Sequence, residues 1–401
     1  LPALDSLNNT PLFKTARFVA YLLQTGCVPT DKYVEVGKIY HTIKFNPQEG
    51  LRLGVPLRTT ENLWKNVCLE GMLAYGVGDR AFKGFGQVSV VLPSQRRHIV
   101  RLKYSDNYMY SEVDDFHEYI RENKVFNPQV HLITDIFRGA KFNAKCFYNT
   151  MTRRQEGRVH FYDDWNKYLE TQAYVKVGRT GYGEATNNYQ SQEMMSYSTV
   201  GLSARLSFNE RKVDTYFRRR HIYNHLPVLY LGAELGSYRL DNMQSYRMYG
   251  NLQLMLRHHV DLGMGGELNY LLQAGLVFGK VPYPLLYHFA GNQTYVFDIH
   301  RFSLMNNYQY AADKYISLQA HWNGKGVLFN LIPGVRYARL RELLELKVAY
   351  GGLRKDHQEV LPFPTTKSGY NTLAALRIPY VEVGVGIGNI LRIGEVYGVF
   401  R

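Results

Sequence analysis

Tyr380-Val381-Glu382-Val383-Gly384-Val385-Gly386-Ile387-Gly388-Asn389-Ile390 is the stretch on which the reading of the fold turns. Successive side chains of an extended chain point to opposite faces. Val381, Val383, Val385 and Ile387 therefore share one face, and Glu382, Gly384, Gly386 and Gly388 share the other. A glycine-rich nucleotide loop must leave a strand and open a helix. Here the glycines lie inside the alternation. They read as a smooth inner stripe that permits close backbone approach or strong curvature.

The same two-residue rhythm recurs through the chain. Val67, Leu69, Leu73, Tyr75 and Val77 share a face. Val88, Val90 and Leu92 alternate with Gln87 and Ser89. Val100, Leu102 and Tyr104 oppose Arg101, Lys103 and Ser105. Val200, Leu202, Ala204, Leu206 and Phe208 oppose Gly201, Ser203, Arg205 and Ser207. Met248, Leu252, Leu254 and Leu256 oppose Tyr249, Asn251, Gln253 and Arg257. From 157 to 195 the contrast fades, and no strand is assigned there.

One face is apolar and the other wet, over many long strands with no helices to cover an open sheet. In hydrocarbon every backbone polar group needs an internal partner, so an all-β chain must close on itself. The pattern predicts an all-β fold: a transmembrane antiparallel β-barrel of about 16 strands, within the range 14–18. The domain reading is a short N-terminal amphipathic helix and lead-in over 1–31, then the barrel over 32–401. Thr10 is the expected helix cap, Pro11 the first helical residue and Gly26 the left-handed end. The connection 106–140 is expected to be a long extracellular loop, partly helical around Glu112, Asp114, Asp115, Glu118 and Glu122. A second polar connection covers 179–195. Pro93-Ser94-Gln95-Arg96 reads as a short periplasmic turn.

Composition agrees. The 401 residues include 33 Tyr and 35 Gly, which suits interfacial aromatics and tight bends. A mean hydropathy of -0.30 is compatible with a barrel, because the lumen face stays polar. No run of about 18 apolar residues predicts a spanning helix. The sequence opens Leu1-Pro2-Ala3-Leu4 with no signal peptide, so export is assumed. Cys27, Cys68 and Cys146 match no metal or disulfide spacing. They read as unpaired thiols.

No nucleophile elbow or metalloprotease motif occurs. His258-His259 is adjacent, so the two rings point to opposite faces and do not share a metal. The acidic run 112–122 lacks the spacing and glycine of a calcium loop. Catalytic residues, cofactors and metals are all expected to be none. The net charge of +14 favours anionic partners. Outer-membrane lipids and lipopolysaccharide fit, other envelope proteins are expected, and nucleic acid is not, since no binding motif is present. Arg211, Lys212, Arg218, Arg219 and Arg220, with His221, form the densest basic cluster and the candidate lipopolysaccharide contact. Pro282, Tyr283 and Pro284 break the strand rhythm before Asn292. They are the candidate lumen plug, or a cover for one mouth.

A family resemblance rests on further blocks. They are Asn46-Pro47-Gln48-Glu49-Gly50-Leu51-Arg52, Leu73-Ala74-Tyr75-Gly76 with Asp79, and Arg205-Leu206-Ser207-Phe208-Asn209-Glu210. Pro282 to Leu286, Gly291 to Tyr295, Phe302 to Asn306, Asp313-Lys314-Tyr315, His321, Asn330 to Pro333 and Arg341 add to them, as do Pro379 to Glu382 and Gly386 to Ile390. The chain resembles the outer-membrane barrel family of Bacteroidetes, a domain of unknown function found after a carboxypeptidase-regulatory-like domain. In outline it is similar to the surface-antigen superfamily that includes barrel-assembly proteins. No regulatory-like domain is read within these 401 residues, and Ile332-Pro333-Gly334-Val335-Arg336-Tyr337 departs from the family's I-P-L-L-x-K stretch. The resemblance implies a barrel of the bacterial outer membrane and adds no catalytic residue.

Three functions are weighed. The first is a non-enzymatic accessory or scaffold subunit in assembly, translocation or display of envelope molecules. In it a seam weakened by Gly384, Gly386, Gly388, Gly394 and Gly398 opens sideways. The second is a diffusion pore or gated transporter lined by Arg101, Lys103, Arg205 and Arg257. The third is an outer-membrane hydrolase, with His41, His98 or His321 as base.

Overall fold

A computed structural model describes residues 10–37, 39, 42–46, 49–110, 151–182, 193–215, 217–222, 225–291, 301–305, 309–363, 373–392 and 394–401. Helix α1 (Pro11–Thr25) comes first. The strands are β1 (Val28–Pro29), β2 (Val34–Val36), β3 (Ile43–Asn46), β4 (Gly50–Thr59), β5 (Val67–Gly76), β6 (Ala81–Leu92), β7 (His98–Tyr110), β8 (Met151–Asp164), β9 (Leu169–Tyr182), β10 (Glu193–Ser207), β11 (Arg211–Thr215), β12 (Arg218–Ile222), β13 (Val228–Leu240), β14 (Arg247–Asp261), β15 (Glu267–Phe278), β16 (Tyr287–His288), β17 (Tyr310–Ala312), β18 (Lys314–Asn323), β19 (Arg341–Gly352), β20 (Ala374–Ala375), β21 (Tyr380–Ile390) and β22 (Gly394–Phe400). Two short helices, α2 (Val335–Ala338) and α3 (Asp356–Val360), lie in connections.

Seventeen strands form one sheet. It runs as an antiparallel meander from β4 through β10, then β13, β14, β15, β18, β19, β21 and β22. β2 and β3 both pair with β4, and β1 pairs with β2. The chain is an all-β transmembrane antiparallel barrel, as the alternation predicts. Among the described residues no helix is long and apolar enough to cross a membrane.

Burial in this sheet is inverted relative to a water-soluble protein. On β21, Glu382 is 0% exposed and Val385 is 52% exposed. On β4, Arg52 and Arg58 are buried while Leu51, Leu53, Val55 and Leu57 face outward. Only a hydrocarbon surround makes such an exterior favourable. An arginine at an outward position near mid-membrane costs about 2–4 kcal/mol in barrels. Val385→Arg is thus expected to lower the unfolding free energy in lipid vesicles by about that amount. A loss below 0.5 kcal/mol, of the order of ordinary surface substitutions, would show that β21 does not face lipid.

Tyrosine and glycine meet in a way that composition did not disclose. Gly201 lies directly opposite Tyr174, Gly236 opposite Tyr249, and Gly275 opposite Tyr315. Each ring covers its glycine so closely that an added Cβ would sit within 2.5 Å of it or nearer. Aromatic rings over strand glycines are a known device for shielding bare backbone. These residues therefore line the inner face, where the composition alone suggested interfacial belts and bends.

The two ends differ. Residues 111–150, 183–192, 279–313 and 353–379 connect strands at one, the loop end. Short links such as 93–97, 165–168 and 391–393 lie at the other, the turn end, together with the longer insertions 208–227 and 324–340. The expected loop 106–140 begins later, because β7 continues to Tyr110. The acidic run 112–122 lies outside the described residues. The polar connection is narrower than 179–195, since β9 reaches Tyr182 and β10 starts at Glu193.

Helix α1 begins at Pro11, and Gly26 ends it at φ 68° with its N–H bonded to the Leu22 carbonyl at 2.8 Å. Thr10 is extended and makes no side-chain cap. It serves through its backbone carbonyl, which accepts from Lys14 at 3.1 Å. Cys27 and Cys68 are buried and form no disulfide, and Cys146 lies outside the described residues.

Candidate functional site

The connection between β15 and β18 does not stay outside the wall. Val281, Pro282 and Tyr283 are buried, and Pro284 is half-buried. Proline lacks the N–H needed for the sheet ladder, so the chain leaves β15 here and makes a tight turn over Tyr283–Leu285. Asn292, the fourth expected plug residue, lies outside the described residues.

Two apolar contacts seat the segment. Val281, Tyr283 and Leu286 pack against Met195, Tyr197, Tyr238 and Tyr249, from the inner faces of β10, β13 and β14. Phe289, Phe302 and Met305 pack against Tyr315, Ala349 and Tyr380 of β18, β19 and β21. Tyr287 stacks on Tyr315 with centroids 3.5 Å apart and planes 8° off parallel. Phe302 meets Tyr380 edge-on at 5.7 Å.

Polar contacts then fix residues 301–304 of this segment. The Glu382 carboxylate accepts the backbone N–H groups of Ser303 and Leu304, each at 2.7 Å, and the Tyr380 hydroxyl at 2.8 Å. Lys347 pairs with Glu345 at 2.7 Å and donates to the Arg301 carbonyl and to Ser303 Oγ. Arg301 donates to the Gly291 carbonyl at 3.0 Å. A buried carboxylate that receives three donors is strongly held, since bonds to charged groups are roughly twice as strong as neutral ones. Sequence reasoning noted Glu382 as a charge on a glycine face and, with Phe302, as part of the family resemblance, and gave neither a role in the lumen. It missed Lys347, Glu345 and Arg301. The one available signal was that a single acid interrupts an otherwise bare stripe.

The basic cluster occupies a second place. β11 and β12 form a separate hairpin at the turn end. Its Phe217 reaches the inner side chains Cys68 and Ile99, on strands far from the hairpin's own roots. Lys212 pairs with Glu170 at 2.5 Å. Arg219 pairs with Asp164 at 2.5 Å and with both oxygens of Asp214 at 2.7 and 2.8 Å. This cluster is the candidate lipopolysaccharide contact. Within it, Lys212 and Arg219 are engaged by carboxylates of the hairpin and the wall. Arg211 is exposed, and the Arg218 and Arg220 side chains lie outside the described residues.

The hairpin's root is held by Arg205, which binds Glu210 through two nitrogens at 2.7 and 2.8 Å. His221 Nδ1 lies 3.0 Å from the same carboxylate. Burial by itself pushes Glu210 up. The bond with His221 and the charge of Arg205 outweigh it and hold the carboxyl at about 2, below its ordinary 4.5. A folded value below the unfolded one gives stability that is present above pH 4.5 and is lost as pH falls toward 2. The protection of 211–222 against hydrogen exchange, relative to the unfolded chain at the same pH, is expected to fall across that window, and Glu210→Gln is expected to flatten the dependence. Identical profiles for the two proteins would refute the assignment.

The inward cations weighed as pore charges are also occupied in part. Arg101 donates to the Tyr162 hydroxyl at 2.8 Å. Of the candidate bases, His98 lies 3.0 Å from Asp163 and His321 lies 3.0 Å from the Tyr397 hydroxyl. His41 is outside the described residues. His258 contacts Tyr270 and His259 contacts Asn269, so the adjacent pair engages different partners.

The family model described as "Family of unknown function (DUF5686) C-terminal domain" matches residues 28–361. The chain belongs to this family. The match starts at β1 and includes the lumen segment and the hairpin, and it stops just after α3. No curated protein matches the sequence. Among solved structures, the chain is similar to BamA from Haemophilus ducreyi lacking POTRA domains 1-3, at 9% identity and a TM-score of 0.46, covering 86% of this chain and 62% of that one. It is similar to CdiB from Escherichia coli at 11% identity and a TM-score of 0.40, covering 86% and 53%. It is similar to the siderophore receptor PirA from Pseudomonas aeruginosa at 10% identity and a TM-score of 0.34, covering 86% and 61%. The chain spans less than two thirds of the length of each.

Proposed function

We propose that this chain is a non-catalytic barrel of the bacterial outer membrane, an accessory or scaffold subunit in assembly, translocation or display of envelope molecules. The observation that carries this reading is the lumen segment. A wall that spends buried aromatic rings and a buried carboxylate on holding 281–291 and 301–305 inside is poorly suited to free diffusion. It suits a barrel whose interior is kept shut until something displaces the segment. The hairpin at the turn end restricts the opposite mouth. In this reading the loop end faces the cell exterior, following the habit of outer-membrane barrels to keep long loops outside. Lipids, lipopolysaccharide and other envelope proteins are its partners.

The second reading, a gated transporter, draws support from inward cations such as Lys103 and Arg257. Fractionation is expected to place the protein in the outer membrane under either reading. Two further measurements separate them. Gentle extraction is expected to bring other envelope proteins with it. In planar bilayers the purified protein is expected to be almost silent. Steady open conductance from a lone barrel would overturn the scaffold reading in favour of the pore.

A further inference from the structure

The outer wall carries an apolar groove with a volume of about 730 Å³, crossing six strands from β10 to β19. A smooth lipid-facing wall has no need of one. The groove follows two neighbouring cross-strand rows. In the first, Ala204 opposes Leu231, Leu254 opposes Ala274, and Ile316 opposes Tyr350. In the second, Leu202 opposes Ala233, Leu252 opposes Leu276, and Lys314 opposes Gly352. Alanine at 204, 233 and 274 leaves the floor low between leucine ridges.

The rows descend from the loop end. Lys314 is the first residue of β18 and Gly352 the last of β19. Leu276 lies two residues before Phe278 and Leu252 five after Arg247, at the ends of their strands. Ala233 lies seven before Leu240, and Leu202 nine after Glu193. Six strands about 4.8 Å apart give a groove roughly 24 Å long. With strands tilted about 40°, a row across them drops roughly 15 Å, which is half of a hydrocarbon core about 30 Å thick. The groove thus runs through one leaflet, from rim to mid-membrane.

A cation stands at its head. Lys314 is exposed, and among the described residues no carboxylate pairs with it. Its stem lies across Gly352, where an added Cβ would come within 2.5 Å of Lys314 Cε. The aromatic ring of Tyr350, half exposed, borders the same rim. A basic group above an acyl-sized trough is complementary to a phosphorylated lipid.

We propose that this groove is a specific site for lipid A, the phosphorylated glycolipid of the outer leaflet, with one acyl chain lying along the rows and a phosphate at Lys314. The choice of lipid A as occupant rests on the orientation proposed above, and the groove with its cation does not. The test is native mass spectrometry of the full chain in detergent, titrated with diphosphoryl lipid A, phosphatidylglycerol or phosphatidylcholine. Lipid A is expected to bind best. Lys314→Ala is expected to weaken it at least about tenfold, as loss of a charge-assisted contact would. Ala274→Trp, which fills the floor, is expected to abolish the adduct, while Lys355→Ala leaves it unchanged. A heat-modifiable band on gels reports folding, and should Ala274→Trp fail to fold, Lys314→Ala and Lys314→Glu decide. Unchanged lipid A binding in the Lys314 variants overturns the site. Phosphatidylcholine binding as tight as lipid A overturns the role of the phosphate, and tighter binding of phosphatidylglycerol overturns the choice of lipid A. Failure of the outer-membrane reading would appear separately, in the fractionation.

Discussion

Glu382→Ala is expected to convert a silent barrel into one that flickers open. The carboxylate is fully buried and receives two backbone N–H groups and one hydroxyl. Without it, the Ser303 and Leu304 N–H groups lose their acceptor at a place where water does not replace it. Each buried orphan costs about 1–3 kcal/mol, so the seated state of 301–305 loses about 2–6 kcal/mol. A segment held by a comparable margin then leaves its seat for a measurable fraction of time. The wall's ladder hydrogen bonds are untouched, so the barrel itself is expected to stay folded. Tyr380→Phe is the control: it removes one donor and keeps the ring against Phe302, and its expected cost is only about 0.5–1.5 kcal/mol. Single-channel recording of both variants checks this. Equal silence from both would mean that the aromatic contacts hold the segment without the latch.

Arg205→Met carries the largest expected stability loss at the turn end. Arg205 is 2% exposed and binds Glu210 with two nitrogens. It also donates to Ser207 Oγ at 2.9 Å and to the Tyr230 hydroxyl at 3.2 Å. Removing one partner of a buried ion pair strands the other, typically at about 3–5 kcal/mol. The hairpin then loses its root, and cleavage by added protease within 211–222 is expected to rise sharply. The double variant Arg205→Met with Glu210→Gln is expected to recover part of the loss, because no unpaired carboxylate remains. A double variant no better than the single one would show that Arg205 acts through packing on Tyr230.

Much of the fold was legible in local sequence. The rhythm of β21 and of β10 fixes which residues face lipid, because a strand's two faces separate by parity alone. Strands β8 and β9 escaped notice. Their inner faces hold Glu156, Arg158, Gln172 and Lys176, but outward positions include Gly157, Thr171 and Ala173, so the contrast between faces is weak. The candidate plug was half legible. Pro282 and Pro284 announce that the strand has ended, since proline cannot donate to the ladder. Nothing local says where the freed chain goes.

By itself, the sequence determined that the chain is a lipid-facing barrel with an apolar exterior, and that the segment after β15 departs from the wall. These follow from side-chain alternation and proline chemistry, both of which act between near neighbours. Only the tertiary structure decided that Glu382 and Lys347 hold residues 301–305, that Lys212 and Arg219 are spent on carboxylates, and that Lys314 heads a groove of alanines. Those pairings join positions up to 79 residues apart, as Ser303 and Glu382 are. A closed sheet sets such neighbours through its curvature and stagger, and no run of adjacent residues records either.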